Sequence, residues 1–291
     1  MKRICIVSPL SKVFLLTCLF YVIPHINYGK MTGRQIVSNY LQTQNSETEL
    51  AFISMNTYAS LEAASNRKNH RFLTLSNRNQ DGSGSFIIRM IRPQEVNGVT
   101  VLSKTKSNST VEQFIYLPEI GKINQIKGKG KSAKFLGTDF TFEDLQKEIP
   151  GNFSYERLDS NVIRGIKCYR VRATRISDSI ESYYSHREMF IGMKSYNLHK
   201  INFYRKDNTL SKTLESYNYD SPKVKGETTR PRSMVMTDLE KNTKTEFIVI
   251  ESRLNLKLDA ALFTQKNILS WTEDEIRQLI FDMGFTFIEE Q

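Results

Sequence analysis

The stretch GKGKSAKFLGTDFTFEDL, residues 128–145, carries residue types that nucleotide chemistry uses. Gly130, Lys131 and Ser132 match the end of a phosphate-binding loop, whose curled backbone aims N–H groups at phosphate oxygens. The pattern also needs a glycine at position 125, where Gln125 stands, and a helix opening at Ser132, where Gly137 stops the chain too soon. It fails on both counts. Residues 122–134 read instead as a solvated, basic hairpin loop. Further on, Asp139 and Glu143 are four apart, so on a helix they would share a face and could serve as paired acid and base. A turn uses the same residues: Asp139 or Thr141 can cap it, with Asp144 in the capping-box position after Thr141. Phe140, Phe142 and Leu145 would then turn inward. No histidine, cysteine or serine triad pattern sits nearby, so capping is the expected role of Asp139.

Other reactive residues are dispersed. His70, His186 and His199 stand apart, and neither H-E-x-x-H nor G-x-S-x-G occurs. His186, in YYSHRE, is expected to face outward from a strand, and Cys168 to be a buried, inert thiol. No catalytic residue, metal set or cofactor is expected, and the chain reads as a non-enzyme.

The N-terminus places the chain. Lys2, Arg3 and Lys12 precede an apolar run over residues 13–23, then Pro24 and the small Gly29, which is the layout of a secretory signal peptide. Cleavage is expected near Gly29. Leu15-Leu16-Thr17-Cys18 lies too early in the apolar run for a lipid-anchoring cysteine, so no lipid is expected on Cys18. No later stretch reaches the roughly 18 apolar residues of a membrane helix. Cys5, Cys18 and His25 leave with the signal, and Cys168 alone admits no intrachain disulfide. Export without disulfides fits a bacterial periplasm, because a chain of this length buries enough surface unaided. Loss of Lys2, Arg3 and Lys12 takes the formal charge from +10 to +7, which suits anionic membrane surfaces or acidic partners. Nucleic acid is excluded as a partner, since the chain carries no helix-turn-helix or RNP-like motif.

Helices are expected at both ends. Thr32 caps one in which Ile36, Val37, Tyr40 and Leu41 form an apolar stripe. Thr272 and Glu275 open another, with Ile276, Leu279, Ile280 and Met283 on one face and Gly284 as its stop. Between them the apolar period is two. Ala51, Ile53 and Met55 share a face, as do Phe86, Ile88 and Met90, and Val111, Ile115 and Leu117 around an interrupting Gln113. Tyr169, Val171 and Ala173 oppose Cys168, Arg170 and Arg172; Met189, Ile191 and Met193 follow, then Ile201 with Phe203 and Ile248 with Ile250. Turns are expected at residues 79–82, 206–208 and 240–242. Some ten strands on short connections describe one domain with one large antiparallel sheet, curled or closed.

The order of local phrases adds a resemblance. RPQEVNGVTVL (92–102), QFIYLPEIGKINQI (113–126), FLGTDFTFEDL (135–145) and LDAALFTQKNIL (258–269) together are similar to the LolA-like outer-membrane lipoprotein-sorting family. The resemblance implies a mainly β (α+β) fold: a half-open, strongly bent antiparallel β-barrel of about ten or eleven strands, plugged by helices around an apolar cavity for acyl chains. The chain is thus expected to divide into a signal peptide at 1–29, a LolA-like lipoprotein-sorting domain at 30–269 and, beyond the resemblance, a C-terminal helical extension at 270–291. Members of that family ferry lipoproteins across the periplasm or serve transporters of the resistance-nodulation-division type. The expected function is therefore a periplasmic carrier of lipoprotein acyl chains or other amphiphilic cargo towards the outer membrane. Its partners would be that cargo, an inner-membrane transporter and, transiently, a membrane surface. The alternatives are an accessory subunit of such a transporter that binds no lipid, or an envelope hydrolase. Methionines at strand positions 55, 90, 189, 193, 234 and 236 suit a surface that adapts to variable apolar ligands. Phe86, Ile88, Met90, Met189, Ile191, Met193, Ile201 and Phe203 are the expected cavity residues, and Lys127, Lys129 and Lys131 the expected docking loop.

Overall fold

A computed structural model describes residues 30–271, apart from 63–65, 108, 178–181 and 221–227, and a few single positions beyond 271. The expected signal peptide therefore lies outside the described residues, as does most of the expected helix after Thr272. The first helix, α1 (Gly33–Thr43), opens with a reciprocal cap: Gln35 N–H donates to Thr32 Oγ1 at 3.2 Å and Thr32 N–H to Gln35 Oε1 at 2.8 Å. Ile36 and Val37 are fully buried, and Tyr40 and Leu41 pack against the same core.

Among the described residues, thirteen antiparallel strands follow, in one sheet. They are β1 (Thr48–Tyr58), β2 (Arg67–Arg78), β3 (Gly84–Arg92), β4 (Thr100–Thr105), β5 (Val111–Leu117), β6 (Lys122–Ile126) and β7 (Phe153–Ile163). Then come β8 (Ile166–Arg175), β9 (Tyr184–Gly192), β10 (Leu198–Arg205), β11 (Leu210–Tyr219), β12 (Pro231–Asp238) and β13 (Thr243–Leu254). The order is β6-β5-β4-β3-β2-β1-β13-β12-β11-β10-β9-β8-β7. Every neighbour is also next in sequence except β1 and β13, which close the chain on itself at the centre. The expected turns join β2 to β3, β10 to β11 and β12 to β13, with Gly82 (φ +80°), Asn208 (φ 65°) and Asn242 (φ 55°) supplying the left-handed residue.

Two features correct the expected barrel. The strand count is thirteen rather than ten or eleven, and the sheet, bent as expected, does not close into a barrel, because its edge strands β6 and β7 do not pair with each other. These edges follow one another in sequence, so residues 127–152 must cross from one to the other, and they do so over the inner face. That covering is not helical. It consists of turns and short 3-10 segments at Gly128–Ser132, Phe135–Gly137 and Pro150–Asn152. The expected basic hairpin over 122–134 is thus part strand and part 3-10 turn, and no helix opens at Ser132.

The sheet carries a core on each face. The inner core gathers α1, the crossing segment and inward side chains such as Met55, Phe72, Ile88, Met90, Met189 and Phe247. The outer core covers the β1–β6 end, where Leu50, Leu73, Leu75, Ile87 and Leu102 meet Phe263 and Ile268 from the C-terminal segment and Phe114, Tyr116 and Ile123 pack at its margin. Its helix α2 (Gln265–Ser270) is capped by Thr264, and Arg89 pins its end by donating to the Trp271 carbonyl at 2.9 Å. Double coverage explains why FIIRMI is apolar on both faces apart from Arg89, while β8 alternates. Ile248 and Ile250 do not point into either core. A bulge between Phe52 and Ile53 leaves Ile250 as the extra residue of β13, 47% exposed, and Thr245, Phe247 and Val249 face inward instead.

Candidate functional site

An apolar cavity of about 340 Å³ lies between the inner face of the sheet and the crossing segment. Its floor is built from inward residues of eight strands, among them Ile53 of β1, Phe86 and Ile88 of β3, Ile201 and Phe203 of β10, and Met234 and Met236 of β12. Phe140 and Leu145 form the roof, with the Phe140 ring stacked on Phe247 at 4.2 Å. The size falls in the range of roughly 300–1,000 Å³ typical of small-ligand sites.

Polar groups hold the roof down. Gln113, the residue that interrupts the apolar face of β5, is fully buried and donates to the Phe142 carbonyl at 3.0 Å while accepting from Gln146 at 2.8 Å. Thr141 and Asp144 form the expected capping pair, with N–H to side-chain distances of 2.8 and 3.2 Å. Asp139 does not cap. Its carboxylate accepts from Thr243 at 2.6 Å, Thr245 at 2.9 Å and Lys134 at 3.1 Å, which fastens the turn to β13. Lys212 rises from β11 beneath the roof, 3.5 Å from Asp144 and donating to the Asp139 carbonyl at 2.7 Å. Burial pushes the Asp144 carboxyl up, against the pull of Lys212 and hydrogen bonds from Thr141 and Tyr184. Burial and the neighbouring Asp144 likewise push the Tyr184 phenol well up, so it stays a donor. Two further ion pairs, Glu143–Arg175 and Glu148–Arg187, tie the roof to β8 and β9. Tyr155 donates to Glu148 at 2.5 Å.

Asp139 and Glu143 face different partners and make no acid–base pair: Glu143 accepts from Arg175, Ser182 and the Tyr183 N–H. His186 stacks on Tyr204 at 4.4 Å, and burial, then Arg172, lowers its pKa. Cys168 is fully buried, and desolvation raises its thiol pKa. Among the described residues no three His, Cys, Asp or Glu side chains converge to hold a metal ion. No helix among them is long and apolar enough to cross a membrane.

Of the expected cavity residues, Phe86, Ile88, Met189, Ile201 and Phe203 line this space. Met90 and Ile191 are wholly buried in the inner core away from it, and Met193 lies beyond the end of β9. The expected docking lysines divide: Lys129 and Lys131 line a second, basic cavity, and Lys127 does not. Sequence reasoning missed Arg187 and Tyr184. A register step from His186 to Tyr184 against β10 skips Ser185, and this bulge puts Tyr184 on the cavity side with Arg187 and Met189. The Lys212 and Arg187 charges carried one usable signal, a charged residue at an inward strand phase.

Residues 82–270 match the model of a family described as "uncharacterized protein". No curated protein matches the chain in sequence. Among solved structures, the chain is similar to an outer-membrane lipoprotein-sorting protein domain from Vibrio parahaemolyticus: TM-score 0.74, 20% identity, 81% of this chain and 97% of that one covered. A DUF1329 family protein from Desulfovibrio piger matches with TM-score 0.74 at 21% identity, over 81% and 97% of the two chains. A LolA superfamily protein from Nitrosomonas europaea matches with TM-score 0.64 at 17% identity, over 81% and 99%. The bent, open thirteen-stranded sheet roofed by the chain that joins its edges is therefore a LolA-like fold, and the chain belongs to the family matched over residues 82–270.

Proposed function

We propose that the protein is a periplasmic carrier, not an enzyme, that takes an acyl chain of a lipoprotein or another amphiphile into the cavity beneath residues 140–145. The observation that carries this reading is an apolar space bounded by Phe86, Ile88, Ile201, Phe203 and the two β12 methionines, under a roof held by side chains rather than by strand pairing. Each methylene moved from water into such a space contributes about 0.8 kcal/mol, so a single chain supplies enough for reversible carriage. Methionine on two adjacent floor positions lets the wall follow chains of different shape. The signal-peptide pattern of residues 1–29 supports export, and the lipoprotein-sorting name of a structural relative supports the cargo class. Loading from an inner-membrane transporter and brief contact with a membrane surface complete the cycle.

Native mass spectrometry of protein purified from a membrane-containing lysate tests this. Co-purified lipid or lipopeptide is the expected result. Protein that stays empty and fails to take up a fluorescent fatty-acid probe would overturn the carrier, and turnover of envelope substrates would replace it with a hydrolase.

A further inference from the structure

Beside the apolar cavity lies a larger basin of about 720 Å³, and Glu143 and Tyr184 line both. Lys129 and Lys131 reach it from the 3-10 turn, Arg175 from the end of β8, and Arg205 and Lys206 from the end of β10 and the turn that follows. Arg175 is neutralised by Glu143 and Arg205 by Glu240. Lys129, Lys131 and Lys206 form no ion pair among the described residues. The other acid of the lining, Asp207, accepts the Thr209 N–H at 2.9 Å. Asp178 and Glu181, between Ser177 and Ser182 in sequence, lie outside the described residues.

We propose that this basin holds the anionic, phosphate-type headgroup of an amphiphile whose chain occupies the adjoining apolar cavity; the assignment rests on the carrier reading above. Three lysines from two separate loops, with no ion pair among the described residues, line one concavity, where like charge focuses the field and concentrates anions. Three of the lining serines are engaged: Ser132 donates to the Lys129 carbonyl, Ser182 to Glu143 and Ser185 to the Tyr204 carbonyl. Recognition therefore falls to the ammonium groups. Lysine meets phosphate as a point charge with no fixed fork, so the site selects charge over headgroup shape. A headgroup held here touches Glu143 and Tyr184, and the chain passes these same side chains to the apolar floor.

The test is titration calorimetry below the micelle concentration, with dodecyl phosphate, dodecyl maltoside and inorganic phosphate as probes. The proteins are the wild type, Lys129→Ser/Lys131→Ser/Lys206→Ser and the matching triple arginine variant. The wild type should bind dodecyl phosphate about tenfold tighter than dodecyl maltoside at low salt, a margin that shrinks as salt screens the lysines. In the serine variant the margin should fall below about threefold, and arginine should restore it. If the margin survives in the serine variant, or is absent from the wild type while dodecyl maltoside still binds, the headgroup site is wrong and the carrier stands. Inorganic phosphate binding as tightly as dodecyl phosphate would make the basin a site for free phosphate and overturn the assignment. Failure of both amphiphiles to bind would remove carrier and headgroup site together.

Discussion

Met234→Glu separates a ligand cavity from an ordinary core. Met234 lies on β12 between Ser216 and Phe247, lines the apolar cavity and is only partly buried. A carboxylate there can stay hydrated while the cavity is empty, so the fold should lose no more than about 1 kcal/mol. When a chain enters, that carboxylate must shed its water with no cation introduced to meet it. The effective penalty for such a burial is several kcal/mol. Taking about 3 kcal/mol, and about 1.4 kcal/mol per decade, binding should weaken about a hundredfold. The neutral acid costs less to bury, so the defect should shrink as pH is lowered towards the carboxyl range. Met90, at 0% exposure and outside the cavity, should behave in the opposite way. Met90→Glu buries a charge in a closed core and should cost more than about 4 kcal/mol, removing the fold itself. Fluorescent fatty-acid titration at pH 7.5, with urea unfolding of each variant, reads both quantities. The reasoning is refuted if folded Met234→Glu binds within threefold of wild type, or if Met90→Glu folds and has lost only binding.

Gln113→Leu leaves the Phe142 carbonyl, Ser103 and Gln146 without their partner, so urea unfolding should show a loss of about 1–3 kcal/mol. Gly33→Ala would set a Cβ 2.6 Å from the Tyr155 carbonyl oxygen, and α1 should then sit less firmly on β7, costing roughly 1–3 kcal/mol in the same assay. Burial lowers the pKa of His70, His186 and His199, so the unfolded chain binds more protons through the histidine range. Their contribution is therefore complete above the ordinary histidine pKa of about 6.5 and is lost as pH falls below it. Comparing unfolding midpoints at pH 7.5 and 5.5 should show that loss, smaller in His199→Gln; an equal loss in that variant would clear His199.

The sequence by itself determined the local elements whose signals are short-ranged. The Thr32 cap and its apolar stripe, the Gly82, Asn208 and Asn242 turns, the period-two faces of β1, β3, β8 and β10, and the Thr141–Asp144 pair all follow from neighbours within a few residues. Phe86, Ile88, Met189, Ile201 and Phe203 share the cavity because strand parity alone sets which face a side chain takes. Tertiary structure decided the rest. The sequence marked no face for β6 or β7, because edge strands keep polar residues on both faces, as KINQI and FSYERLDSNVI do. The bulges at Ser185 and Ile250 each shift the phase by one residue, which no periodicity reveals in advance. Asp139 left its expected cap because Thr243 and Thr245, more than a hundred positions away, offer its carboxylate better partners. Met90 and Met189 are alike in sequence context, yet one is sealed and the other lines a cavity. That difference rests on where residues 127–152 cross the sheet, and the crossing is set by which strands remain at the edges.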